Sequence, residues 1–390
     1  MLTSFHWDIQ GEGMTGHQHY DMIVIGAGMA GASVAAELAG AGRVALLERE
    51  NHPGYHTTGR SAALYTQAYG PPVIRALSRA SHAFFLGQGP GNPPAGLLRP
   101  RGALFVARAD QADRLEAMRL ALGSVVEPQD AGQLRARSPL LRDGYATAGL
   151  LDITAADIEV HELHQHYLRR FRADGGTLVT NAEVTALSRI GADWQAEIPG
   201  QTIRAPIVIN AAGAWADVIA EMAGVATKGL RPLRRTALLV DPPAGMVPDA
   251  WPMVVDVEEQ FYLKPDAGKL LISPADETLS EPCDAQPEEL DIAICVDRIQ
   301  TAFDLQIRRI DHKWAGLRSF LPDGDPVAGY APDAPGFFWL AGQGGYGIQS
   351  APAMARCAAA LVRGLELPGD VADLGVTIAA LSPARQQVAA

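Results

Sequence analysis

Cysteine is scarce in this sequence. Cys283, Cys295 and Cys357 are the three among 390 residues, they form no C-x-x-C pair, and their odd number excludes a complete disulfide framework. A reduced, cytoplasmic setting is the expectation. Long hydrophobic runs are also missing: none reaches the roughly 18 residues that a membrane-spanning helix requires. Basic charge is in deficit, 32 Lys and Arg against 44 Asp and Glu for a net charge of −12, and no Lys/Arg block interrupts it. That balance argues against nucleic acid or an anionic membrane as partner. No metal centre is expected. His161, His164 and His166 crowd one helical stretch, Ile158 to Arg172, but His166 lies off the face shared by the other two, and no acid stands at zinc spacing. Residues 1–20 lack the basic start and apolar core of a signal peptide and read as a disordered extension.

Hydrophobic residues at 48% and charged ones at 19% do describe a globular chain, and 390 residues exceed one ordinary core, so two domains are expected. The stretch that organises them is Tyr20 to Arg49. Met22 to Ile25 reads as a buried strand, and Gly26, Gly28 and Gly31 follow with the spacing G-x-G-x-x-G, interleaved with Ala27 and Ala30. The first glycine permits the tight turn, the second lets backbone approach a pyrophosphate, and the third lets the helix from about Met29 to Ala41 pack close to the strand. The N–H groups and dipole at that helix start attract phosphate. A second strand, Arg43 to Leu47, ends at Glu48 and Arg49, where the carboxylate can accept from an unphosphorylated ribose. FAD and NAD both satisfy this pattern.

Farther along, His56, Thr57, Thr58, Arg60, Ser61 and Ala62 present donors to a pyrophosphate or ring system, or else form a turn and helix cap. A helix is expected from about Val73 to Leu86, then a Gly/Pro-rich loop, Gly87 to Gly102, of the length that active-site lids have. Ala103 to Ala107 reads as a strand, Asp152 to Asp157 as a polar turn, and Ala182 to Leu187 as a strand holding Val184. The strand Ala205 to Asn210 enters Ala211, Ala212, Gly213 and Trp215, small residues that let backbone approach a ligand. Leu230 to Val240 carries three arginines near its start, of which Arg231 or Arg234 can simply be solvated. In the strand Gln260 to Pro265, Phe261 and Tyr262 point to opposite faces. Near the end of the chain, Gly336 to Val362 repeats the opening logic of strand, glycine turn (Gly342, Gly344, Gly345, Tyr346, Gly347) and helix (Ile348, Gln349 onward).

GYHTTGRSAA directly after the first βαβ unit, with LYTQAYG, FYLKPDAG, WAGLRSF and QGGYGIQ, resembles the D-amino acid oxidase superfamily of FAD enzymes, and within it the D-arginine dehydrogenase-like branch. A second glycine turn at the C-terminal end has no counterpart need in NAD enzymes, so the resemblance implies FAD. It implies an α/β fold with a discontinuous Rossmann-like FAD-binding domain, residues 21–100, 152–228 and 314–384, and a mixed-sheet α+β substrate-binding domain, residues 101–151 and 229–313. Val184 is matched to a backbone contact near the adenine, and no cysteine falls at the covalent-flavin position, which implies noncovalent FAD.

By the same resemblance a substrate carboxylate falls to Arg235, Arg318, Tyr262 and the lid tyrosine Tyr69, and the carbonyl of Gly345 receives the substrate amine. The implied reaction moves the Cα hydrogen of a D-amino acid as hydride to the flavin, leaving an imino acid that hydrolyses to a 2-oxo acid and ammonia. The electron acceptor, O₂ or a quinone-like carrier, is left open. Two positions depart from the D-arginine branch: Leu64 replaces a histidine, and Ala103 replaces the glutamate that grips a cationic side chain. An unpaired cation in a dry pocket is costly, so a neutral or hydrophobic substrate is expected, unless Asp323 or Asp325 supplies the acid. The rivals are D-arginine oxidation itself, sarcosine- or glycine-oxidase-like oxidation of amines, and a flavin-binding subunit without amine chemistry.

Overall fold

A computed structural model describes residues 18–88, 93 and 96–385. Five parallel strands form the first sheet in the order Thr177–Val179, Val44–Leu47, Met22–Ile25, Ile207–Asn210 and Phe337–Ala341, with Val327–Tyr330 antiparallel at the edge. Its central strands are apolar along their whole length because both faces are covered. Helices Met29–Leu38, Val160–Ala173 and Gly347–Val362 cover one face. On the other lies a four-stranded sheet that contributes Leu187, Trp194, Ala196 and Ile203 to a common core. The turns that matter all leave the C-terminal ends of these strands, where parallel sheets place ligands.

The second sheet has nine strands and is mixed: Met253–Asp256 runs parallel to Ala103–Ala107, and the other pairings are antiparallel. Alternation divides its side chains as the strand period requires. Leu104, Val106, Phe261 and Leu263 pack with Cys295, Ile299 and Phe303 around the helix Glu289–Ala302, whereas Ala103, Phe105, Ala237 and Tyr262 belong to clusters on the opposite face. The long strand His312–Phe320 pairs with Arg231–Val240 through nine residues, so this sheet runs past the expected boundary at 313/314.

Several local expectations change. Gln18–His19 is a strand paired with Gln201–Ala205, and Tyr20 is buried, so the end of the segment expected to be disordered is part of the fold because Tyr20 finds an apolar seat. Asp152 to Asp157 is more than a turn. Asp152 is fully buried in a strand and accepts from the Thr66 hydroxyl at 2.7 Å, and Ala156–Ile158 forms a small sheet with Leu64–Tyr65 and Leu98–Pro100. The strand begins only at Ala186 in the stretch expected to be a strand from Ala182, which leaves Val184 outside it. In the expected lid loop, residues 89–92 and 94–95 lie outside the described residues.

Candidate active site

One cavity of about 400 Å³ runs from the C-terminal ends of the parallel strands to the inner face of the second sheet. Its first wall is made of backbone. Gly26 has φ +97°, and a Cβ there would sit 2.6 Å from the Ala211 carbonyl oxygen. A Cβ on Gly31 would overlap the Gly26 carbonyl, which explains why the helix can lie so close to its strand. A Cβ on Gly28 would meet only the Thr58 hydroxyl at 3.3 Å, and its remaining side faces the cavity. The helix Met29–Leu38 has no side-chain cap of its own. Thr58 supplies one from 29 residues away, its Oγ1 accepting from the Met29 N–H at 2.9 Å.

Glu48 is buried, and its carboxylate accepts from Ala27 N–H at 3.0 Å and Glu50 N–H at 3.1 Å. Burial pushes its pKa above the usual carboxylate value, while those two backbone donors oppose the shift. Buried His164 is not solvated: its Nε2 lies 2.9 Å from the Ala27 carbonyl oxygen, and desolvation holds its pKa down. Arg49 lies over the Trp215 ring at 5.1 Å, and His56 packs against the same ring. Arg60 spans to the second sheet, donating to the carbonyls of Ala285 at 2.9 Å and Ala315 at 3.0 Å and pairing with Asp284. Val184, Ala211, Ala212, Gly213, Thr57, Ser61 and Ala62 complete this end.

At the far end the wall is made of side chains. Arg235 lies opposite Gly316 in the ladder, and Arg318 is two residues on, so strand parity puts both guanidiniums on the same face as diagonal neighbours. Arg234, one residue away, must point the other way. It is 8% exposed and pairs with Glu288 and, at 2.9 Å, with Asp291, so it is a buried structural ion pair and is not solvated. Arg318 donates to the Tyr69 hydroxyl at 3.1 Å and to Glu277 Oε1 at 3.2 Å, and it passes so close over Gly345 that no Cβ fits there. Arg235 donates to the Asp276 carbonyl and to Glu277 Oε1, both at 2.9 Å. The Tyr69 hydroxyl donates to Glu259 Oε2 at 2.8 Å. Burial raises the pKa of both Tyr69 and Tyr262, so both stay protonated donors at neutral pH. Leu64, Ala103, Phe105, Met253 and Val255 form the apolar side of this end.

Residues 21–361 match the family model described as FAD dependent oxidoreductase. The chain belongs to the FAD-dependent oxidoreductase family. Relatives of the oxidoreductase include FAD-dependent oxidoreductase domain-containing protein 1 of Xenopus laevis, 25% identical over 88% of this chain and 79% of that protein. Glycine oxidase of Bacillus licheniformis is 22% identical over 89% of this chain and 94% of its own length. Among solved structures, FAD-bound L-α-glycerophosphate oxidase from Mycoplasma pneumoniae has the same fold, with a TM-score of 0.78, 18% identity, and coverage of 89% of this chain and 95% of that one.

FAD is the cofactor of the oxidoreductase, and the cavity has the donors to receive it. Gln349 Oε1 accepts from the Thr66 N–H at 3.0 Å, but its Nε2 is buried without a protein partner, and so is Gln343 Nε2; both residues line the cavity. Buried amide donors left open on a cavity wall are costly unless a ligand accepts from them. The helix Gly347–Val362 begins at the same wall with no side-chain cap, so its first N–H groups are also available.

Four expected residues stand behind this wall, among the described residues. Ala27 holds Glu48 and His164, Gly31 is a packing contact, Gly342 (φ +76°) lies against Leu321, and Tyr346 packs edge-on to Tyr69 with ring centroids 4.9 Å apart. Asp323 and Asp325 also lie off the wall; Asp323 pairs with Arg385 at 2.7 Å. The acid that does reach the pocket is Glu259, which the sequence reading missed. It sits in a turn at φ +56°, and a non-glycine residue in left-handed backbone before a strand is not readable from residue spacing. Glu277 was missed as well.

Proposed function

We propose that the oxidoreductase oxidises D-amino acids with neutral or hydrophobic side chains to imino acids, which hydrolyse to 2-oxo acids and ammonia. The observation that carries this reading is the pair of largely enclosed guanidiniums, Arg235 and Arg318, standing beside Tyr69 and Tyr262 in the same cavity as the glycine turns. Two planar forks with fixed charge are suited to an α-carboxylate taken out of water. Tyr262 and Tyr69 add neutral hydroxyl donors, and the Gly345 carbonyl orients the amine. Leu64, Ala103 and their apolar neighbours receive the side chain. FAD, when bound, supplies the two-electron acceptor for the Cα hydrogen; the protein's part is to align carbon and cofactor and exclude water. FAD is held noncovalently in this reading: all three cysteines lie off the cavity wall. We place the protein in the cytoplasm, on its unpaired cysteines; among the described residues no helix is long and apolar enough to cross a membrane.

Glu259 favours a second reading, in which the side chain is cationic and D-arginine is a substrate. Its carboxylate lines the cavity, though Tyr69 already engages one oxygen. The test is anaerobic mixing of the flavin-loaded enzyme with D-leucine, D-phenylalanine, D-arginine, their L-enantiomers, glycine and sarcosine, following bleaching of the flavin absorption. Bleaching by D-leucine and D-phenylalanine is expected. Bleaching confined to D-arginine would move the assignment to Glu259, and bleaching confined to glycine or sarcosine would give the enzyme the substrate class of its glycine oxidase relative.

A further inference from the structure

We infer that His164 is a positioning residue for the cofactor: by holding the Ala27 carbonyl it aims the Gly28 N–H into the cavity, at the diphosphate of FAD. The inference concerns FAD alone and is independent of which substrate the enzyme takes. His164 stands on the helix Val160–Ala173, 137 residues from the glycine turn, and does not itself line the cavity. The Ala27 carbonyl oxygen can only accept, so the hydrogen between the two groups belongs to His164 Nε2. Desolvation favours the neutral ring, and a neutral imidazole has one N–H, which fixes the tautomer. Gly54 encloses the other edge of the ring, where a Cβ would stand 3.0 Å from Cε1 and 3.2 Å from Nδ1. The imidazole has little room to tilt away from Ala27.

In a planar trans peptide the carbonyl and the following N–H point to opposite sides. The Ala27 carbonyl points to His164, so the Gly28 N–H of the same unit points away from it. Gly28 lines the cavity, whereas Ala27 does not. Among the described residues no protein acceptor meets the Gly28 N–H, and the next donor along, Met29 N–H, is spent on Thr58. Gly28 N–H is therefore free for an anion at this helix start.

Ala27 is held at its preceding peptide as well, where its N–H donates to Glu48 Oε2 at 3.0 Å. Both peptides that flank it are thus set before a ligand arrives. Without His164 the buried Ala27 carbonyl would lack a donor, and the peptide carrying the Gly28 N–H could rotate to find one.

Titration of the apoprotein with FAD, phosphorus NMR of the holoenzyme and melting of the apoprotein test this on three variants. His164→Gln keeps a donor where Nε2 stands, His164→Asn reaches only as far as Nδ1, and His164→Leu has no donor. FAD should bind the Asn and Leu variants about tenfold more weakly than wild type, as expected for misaiming one hydrogen bond to a charged group. In both, a diphosphate resonance of bound FAD should shift while the flavin absorption keeps its wild-type position. The Gln variant should match wild type in affinity and in phosphorus spectrum. Weaker binding that follows a lowered apoprotein melting temperature in all three, with the phosphorus spectrum unchanged, would make His164 a packing residue and overturn the inference. Wild-type affinity in the Asn and Leu variants, or a Gln variant as weak as Leu, would overturn it too. If the Leu variant does not fold, Gln against Asn decides, and equal behaviour of those two counts against the inference.

Discussion

The two ends of the cavity are built from different materials. At the nucleotide end the wall is backbone: Gly26, Gly28, Ala211 and the turn before Gly347 bring main chain close, and only a few side chains, Glu48 and Thr58 foremost, add specific partners. At the far end, which the proposed reading gives to the substrate, the wall is side chains on a sheet face, with two arginines, two tyrosines and Glu259 converging from positions 69 to 318. The first construction depends on the absence of side chains at a few positions, Gly26 and Gly31 foremost. The second is crowded with charge and depends on strand register. They should therefore fail differently, the first through sterics and the second through unpaired ions.

The adjacent pair Arg234 and Arg235 offers the widest contrast. Arg234→Ala leaves Asp291 buried without its cation and should cost about 3–5 kcal/mol of stability, seen as a lower midpoint in denaturant, with substrate affinity in the surviving folded fraction little changed. Arg235→Ala should do the reverse, because its side chain serves the cavity. If both variants behave alike, the division of the strand into a structural and a ligand face is wrong.

Arg318→Ala comes next. Removing the guanidinium that lies over Gly345 should lower kcat/KM for an amino acid substrate by the equivalent of about 2–5 kcal/mol. Arg318→Lys should recover little of that, since an ammonium cannot fork between Tyr69 and a carboxylate. Steady-state kinetics on holoenzyme preparations of equal flavin content measures both.

The same contrast explains what could be read from residues alone. Short-range patterns were legible: the G-x-G-x-x-G spacing, the acid ending the second strand, the turn at Gly342 to Gly347, and the parity that separates Phe261 from Tyr262. In each, the chemistry depends on neighbours within one βα unit or one strand. Arg318 was found through its family motif, and its diagonal relation to Arg235 appears only in a ladder joining residues more than 80 apart. Glu259 and Glu277 had no such motif; they reach the arginines and Tyr69 through turns whose conformation no periodicity encodes. Buried Arg234 was unreadable for the same reason, because its partners come from a helix half a hundred residues later.

Glycine substitutions sharpen the steric side of the contrast. Gly31→Ala forces a methyl into the Gly26 carbonyl and should destabilise the fold by about 1–3 kcal/mol, with loss of FAD as a consequence. Gly28→Ala meets only the Thr58 hydroxyl, so its melting temperature without cofactor should stay near wild type while its FAD affinity drops. Thermal unfolding with and without FAD separates the two, and an equal loss of apoprotein stability would show that Gly28 is a packing residue after all.

The smallest effect concerns Glu48, a carboxylate buried at the backbone-built end. Its pKa is raised by burial, so in the apoprotein the folded state holds this proton to higher pH than the unfolded chain does. Between the unfolded value and the raised folded value, acidification therefore favours the folded apoprotein as far as Glu48 is concerned. FAD binding runs in the opposite direction. Were a ribose hydroxyl to donate to the ionised carboxylate, cofactor affinity should be fully present above the raised pKa and weaken as pH falls through it, by about 1 kcal/mol for one hydrogen bond to a charged group losing its charge. Fluorescence titration of the apoprotein with FAD across the acid range measures this. Glu48→Gln should show the weakened affinity at neutral pH and a flat profile where wild type slopes, and a wild-type profile equally flat would mean that Glu48 serves Ala27 and Glu50 and never the ribose.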